Sequence, residues 1–151
     1  MHHNQENYKD IARRLMEEGF GKNNAQVVDQ HVDSNLKSHD PSNPQDIRGS
    51  EGLKQFISQL HRAFPDLKYK VEGLSAEEDT VTCRWSVSGT HRGEMFNQPA
   101  SGKRINITGT DVLRFSNGKV VEVWACWDAL GFYQQIGAIP EMESADSPYN
   151  R

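Results

Sequence analysis

Apolar positions recur with a helical period as far as Pro65 and with a period of two beyond it. In QENYKDIARRLMEEGF, residues 5–20, Tyr8, Ile11, Ala12, Leu15 and Met16 follow an i, i+3, i+4, i+7 stripe. That spacing predicts an amphipathic helix, ended near Gly19 and Gly21. A shorter helix is expected from Asn24 to about His31, with Ala25, Val27 and Val28 on its apolar side. The next stretch, HVDSNLKSHDPSNPQDIRGSEG, is rich in Ser, Asn, Asp, Pro and Gly and predicts loop. Ser50 reads as the N-cap of a third helix, SEGLKQFISQLHRAF, in which Leu53, Phe56, Ile57 and Leu60 share a face and Pro65 is the stop.

From Leu67 the alternation takes over. LKYKVEGL predicts a strand and SAEEDT a turn. In TVTCRWSVSGTH, Val81, Cys83, Trp85 and Val87 occupy one face while Thr82, Arg84, Ser86 and Ser88 occupy the other. The loop RGEMFNQPASG separates this strand from KRINITGTDVLRF, and a tight turn at SNG joins that one to KVVEVWACWD. A last short helix is expected over 129–136. Helices first and an antiparallel meander afterwards define the α+β class. The expected domain is 5–140, with flexible termini at 1–4 and 141–151, the latter a polar, acidic, Pro-containing tail.

Composition narrows the partners. The chain has 151 residues, enough for one real core, and its net charge of −4 with no basic stripe argues against nucleic acid. No apolar run approaches the ~20 residues of a membrane span, so no membrane is expected either. The polar opening MHHNQENYKD does not suit a secretory signal, and the paired His2 and His3 carry no weight here. Cys83 and Cys126 sit in strand-like runs without a CxxC pair and read as buried free thiols of a reducing, cytoplasmic compartment.

Strand parity points to candidate chemistry. One face of KRINITGTDVLRF reads Ile105, Ile107, Gly109, Asp111, Leu113, Phe115. Asp111 therefore falls on an apolar face, where a charge is expensive and a carboxyl pKa rises. Either it is a pocket carboxyl, or a bulge near Gly109 turns it to water. Asp128 has two readings as well. Asp is a favoured N-cap for a helix starting at Ala129, whereas a catalytic carboxyl would point into a cavity. His91 continues the Val81–Val87 face toward a cavity rim, His39 lies in the loop, and His61 sits among the polar positions of the third helix. His31, Asp33, His39 and Asp40 are metal-type donors without the fixed spacing of HExxH and without thiolates, so no metal is expected. No GxSxG, P-loop or GxGxxG supports a nucleophile elbow, ATP or NAD.

Several fragments together resemble a known family. AFPDL at residues 63–67, GTHRGE at 89–94, PASGKRI at 99–105, DVLRFSNGKVVEVW at 111–124 and the closing D-x-L-G-x-x-Q-Q-I-G at 128–137 are similar, in this order, to the SnoaL-like polyketide cyclase, or ester cyclase, family. The resemblance spans about residues 8–140. It implies a cone-shaped α+β fold, shared with ketosteroid isomerase and scytalone dehydratase, in which a curved mixed or antiparallel sheet and N-terminal helices enclose one apolar pocket. In the family's cyclases the aspartate opening D-x-L-G is the general acid/base of an intramolecular aldol reaction without cofactor or metal. That position is Asp128, and the resemblance shifts its reading toward catalysis. A second polar residue, often histidine, lies on the preceding strand; its nearest match is Asp111. Two aspartates are also similar to the family's hydroxylase-like branch.

The expectation is therefore a cofactor-independent acid/base enzyme acting on a small, apolar, carbonyl-bearing polyketide- or terpenoid-like substrate. Ring closure of a polyketide-like ester leads. An isomerase, dehydratase or hydroxylase-like activity, or a non-catalytic ligand-binding module, is the alternative. Asp128, Asp111 and His91 are the expected catalytic residues. His39, Phe56, Leu60, Trp85, Phe96 and Trp124 are expected against the substrate. The resemblance also implies a homodimer.

Overall fold

The computed structural model describes residues 2–140, with side chains from Asn4 onward. Helix α1 (His2–Arg14) continues as a π-helical turn (Leu15–Phe20), followed by α2 (Ala25–His31), β1 (Val32–His39), α3 (Gly49–Ala63), β2 (Lys68–Glu77), β3 (Thr80–Thr90), β4 (Arg104–Ser116), β5 (Lys119–Trp127) and α4 (Ala129–Gln135). The strands form one 5-stranded sheet in the order β1-β5-β4-β3-β2. β1 runs parallel to β5 and the other neighbours are antiparallel. This is the expected α+β architecture. The expected flexible tail, 141–151, lies outside the described residues.

β1 corrects the sequence reading, which predicts loop there. Only Val32 and Leu36 are buried in it, and its register against β5 shifts between Val32 and Lys37. An edge strand with a broken register shows no clean alternation, so its polar residues imitate a loop. β2 also runs on to Glu77, through most of the expected turn; Glu78, at φ 54°, makes the reversal. Ser50 is buried inside α3 rather than capping it, because the helix begins at Gly49 and the cap position is Arg48.

The helices cover one face of the sheet. Leu15, Met16, Val27, Val28 and Ile57 pack on Val81, Leu113, Phe115 and Val120. At the other end of that face, Phe64, Met95, Ile105, Ile107, Phe132 and Ile136 form a second cluster, and Trp85 touches both. Burying a large apolar side chain of this kind stabilises the fold by about 1.5–3 kcal/mol.

One irregularity decides which residues of β5 look inward. Arg114 pairs with Glu122 and Phe115 with Val120, leaving Val121 without a partner on β4. This bulge flips the parity of the strand. Val120 faces the core before it, and Val123, Ala125 and Trp127 face the core after it. Strict alternation from Val120 would instead bury Glu122, Trp124, Cys126 and Asp128. Trp124 is 40% exposed, and Cys126, read from sequence as buried, is an exposed free thiol. Trp124→Ala is accordingly expected to cost less than about 1 kcal/mol in urea unfolding, and Trp127→Ala about 3 kcal/mol. Equal losses would contradict this assignment of faces.

Candidate functional site

Between the two clusters lies a cavity of about 120 Å³, far above the ~10–15 Å³ that admits one water. Phe56, Leu60, Trp85 and Phe96 line it, as the sequence predicts. Phe96 stacks on Trp127 at 4.8 Å between centroids and tilts against Phe56 at 6.2 Å, which gives the wall a set of flat aromatic faces. Two carboxyls, Asp40 and Asp111, open onto this apolar space among the described residues.

The strand register explains how they come together. Asp111 pairs with Ala125, and His39 pairs with Trp124, so Asp40 falls opposite Ala125 from the other side. The inward row thus reads Asp111, Ala125, Asp40. The adjacent inward row reads Trp85, Gly109, Trp127. Each indole serves one acid. Trp85 Nε1 donates to Asp111 Oδ1 at 3.2 Å, and Trp127 Nε1 donates to both oxygens of Asp40 at 3.0 Å. The two residues between the pairs are the smallest that exist. A methyl group on Gly109 would collide with the Trp85 indole, and Ala125 leaves the space between the acids open.

The register of β3 against β4 is continuous through Gly109, so no bulge turns Asp111 to water. Its residue is only 7% exposed. Burial is the main cause that pushes its carboxyl up to about 7; the Trp85 bond opposes this, and the charge of Asp40 adds to it. Asp40 is half-buried, and burial raises its carboxyl too, against the lowering effect of Trp127 and the amides of Ser42 and Asn43.

Several expected site residues lie elsewhere. Asp128 is exposed, and its Oδ1 accepts the Gly131 amide at 2.9 Å, so it caps α4. The expectation that it opens onto the pocket is corrected: the Val121 bulge turns Trp127 inward and Asp128 outward. His91 is buried at 0% exposure but does not line the cavity. It stacks on Phe64, its Nδ1 accepts the Ser101 amide at 3.2 Å, and burial lowers its pKa. It closes the loop after β3 rather than forming a cavity rim. His39 and Trp124 stack on each other at 5.4 Å on the outer face of the sheet, where His39 Nε2 meets Glu122 at 2.7 Å. Neither touches the cavity. His61 is half-buried, and its Nε2 reaches the Phe20 carbonyl at 2.6 Å instead of water.

Asp40 and Trp127 are the site residues that sequence reasoning passed over. The available signal is the period-two set Leu36, Ser38, Asp40, all three of which line the cavity. Two of its three members are polar, so it did not register as an inward face.

Comparison with known proteins agrees with this architecture. The family model for SnoaL-like polyketide cyclases matches residues 10–136. The chain is 26% identical over 134 residues to aklanonic acid methyl ester cyclase DnrD of Streptomyces peucetius, covering 85% of this chain and 89% of that protein. It is 25% identical over 134 residues to DauD of Streptomyces sp. strain C5, which carries the same description, covering 85% and 80%. Among solved structures it superimposes with a TM-score of 0.79 and 25% identity on a chain assigned as a SnoaL-like polyketide cyclase from Jannaschia sp. CCS1, covering 90% of this chain and 95% of that one.

The raised carboxyl of Asp111 has a consequence for stability. In the fold it keeps its proton up to about pH 7, whereas an unfolded Asp releases it near the ordinary ~3.9. Between those values the native state binds the extra proton, so stability falls as pH rises through the window. Above it the full penalty applies, on the order of 4 kcal/mol. Asp111→Asn, which keeps an acceptor for Trp85, is expected to flatten the fall in Tm between pH 4 and pH 8. A wild-type and a variant curve that run parallel would place Asp111 in water.

Proposed function

Because the chain belongs to the SnoaL-like polyketide cyclase family, we propose that it closes a carbon ring in an apolar, carbonyl-bearing polyketide-like ester through acid–base chemistry of its own side chains. The observation that carries this reading is a pair of carboxyls, Asp40 and Asp111, in one apolar cavity whose burial raises the pKa of both, Asp111 to about 7. A carboxylate in water is too weak a base to take a proton from carbon beside a carbonyl. An apolar site raises it toward neutrality and excludes competing water. General acid–base assistance of this kind contributes about 10²–10⁴-fold.

The substrate class follows from the walls. Phe56, Phe96, Trp85 and Trp127 suit a flat conjugated ring system, and a lining whose charged groups among the described residues are two carboxyls suits an ester rather than a free acid. Relatives described as aklanonic acid methyl ester cyclases support the same class. The reaction is an intramolecular aldol closure: an enolate forms beside one carbonyl and attacks another. The reading includes a homodimer, supported by the exposed Trp124 and Cys126 on the outer face of β5.

The test is turnover on a panel of polyketide methyl esters that includes aklanonic acid methyl ester, followed by mass-resolved chromatography. Asp111→Asn is expected to lose about 10²–10⁴-fold in kcat while still folding. Asp128→Ala is expected to keep most of the turnover and to lose only about 1 kcal/mol of stability as the cap is removed. The opposite pattern, activity lost with Asp128 and kept without Asp111, would move the chemistry to the start of α4.

A further inference from the structure

The two cavity acids are not equivalent. Asp40 receives the Trp127 indole on both oxygens and the Ser42 amide on Oδ1 at 3.1 Å. Asp111 receives one bond, from Trp85 to Oδ1, among the described residues. Donors favour the charged form of a carboxyl, and burial favours the neutral form. Asp40, half-buried and better supplied, is built to stay an anion. Asp111, 7% exposed and poorly supplied, is built to hold a proton. Its Oδ2 then has a hydrogen to offer the cavity.

The other titratable groups around Asp111 do not disturb this division. Tyr69, from β2, and Cys83, from β3, are both pushed up by burial, Cys83 to about 12, and stay neutral. Asp40 is therefore the anion that Asp111 faces. The two acids flank Ala125 across two strand spacings, about 9.5 Å between backbone positions. That span holds a carbonyl oxygen hydrogen-bonded at about 2.7 Å on one side and an α-carbon approached to about 3 Å on the other.

We propose that Asp40 is the proton-abstracting base of this site, and that Asp111 is the neutral donor that holds the carbonyl oxygen as it becomes an enolate. This assignment rests on the acid–base reading given under Proposed function. The Asp40 carboxylate takes the proton from carbon beside the carbonyl. The C–H pair becomes the C=C bond, and the carbonyl π pair moves onto the oxygen held by the Asp111 O–H. When the enolate carbon attacks the second carbonyl, a C–C bond forms and the carbonyl re-forms at the first centre. The new alkoxide takes the proton back from Asp40, and both acids end as they began.

The experiment combines turnover with binding of 4-nitrophenol, a planar phenol whose visible absorbance reports its ionisation. Asp40→Asn keeps an acceptor for Trp127 and removes the charge. It is expected to lower kcat by about 10²-fold or more. It is also expected to bind the nitrophenolate about tenfold more tightly than the wild type, because an anion no longer faces an anion. Asp111→Leu is expected to bind it about tenfold more weakly. Binding weakened by Asp40→Asn and unchanged by Asp111→Leu overturns the assignment, as does no binding to the wild type or to Asp40→Asn. If the wild type turns over esters and Asp40→Asn is equally fast, the role of Asp40 falls and the cyclase reading stands. If no ester turns over but the binding pattern holds, the cyclase reading falls and the charge assignment of the two acids stands.

Discussion

A carboxyl in an apolar cavity must either find donors or keep its proton, and the inner face of this sheet is arranged around that choice. Two acids stand on it, and each has an indole N–H from the neighbouring row. An indole is a large apolar body with a single polar hydrogen. It can therefore solvate a carboxyl without making the cavity wet, which an Arg or Lys partner would not do. The remaining contrast comes from the backbone: the turn after β1 gives Asp40 the Ser42 amide, while the middle of β4 spends its amides on the sheet ladder and gives Asp111 none.

That arrangement requires two near-empty positions. The Trp85 indole lies across Gly109, and a Cβ there would collide with it. Ala125 separates the acids with a single methyl. Larger residues at either place would drive the indoles off their carboxyls or fill the slot between them. The smallness of Gly109 and Ala125 is thus part of the electrostatics, since it determines how close the donors come.

The bulge at Val121 matters as much as any side chain. Before it, β5 contributes Val120 to the core; after it, Trp127 rather than Trp124 faces inward. The sequence reading carried Asp111 correctly because β4 alternates without interruption from Ile105 to Phe115. It missed β5's facing because an unpaired residue is invisible to a period count when both faces of a strand are apolar. It missed Asp40 because an edge strand with a shifted register reads as loop. Most of the elements, the α+β class and the wall residues Phe56, Leu60, Trp85 and Phe96 were legible because periodicity survives over ten or more residues. The partner acid was not, because its position depends on a long-range pairing of β1 with β5 that no local pattern encodes.

The same bulge separates two acids that the sequence places close to one chemistry. Asp128 sits one residue past Trp127, and one residue of strand is one change of face. With Trp127 turned in to reach Asp40, Asp128 must turn out, where the first turn of α4 offers it the Gly131 amide. The donor that Asp40 needs and the cap that α4 needs therefore come from one choice of register. A register that brought Asp128 into the cavity would take Trp127 out of it and leave Asp40 without its indole, so this fold has room for one of these acids at the inner face and has built its donors around Asp40.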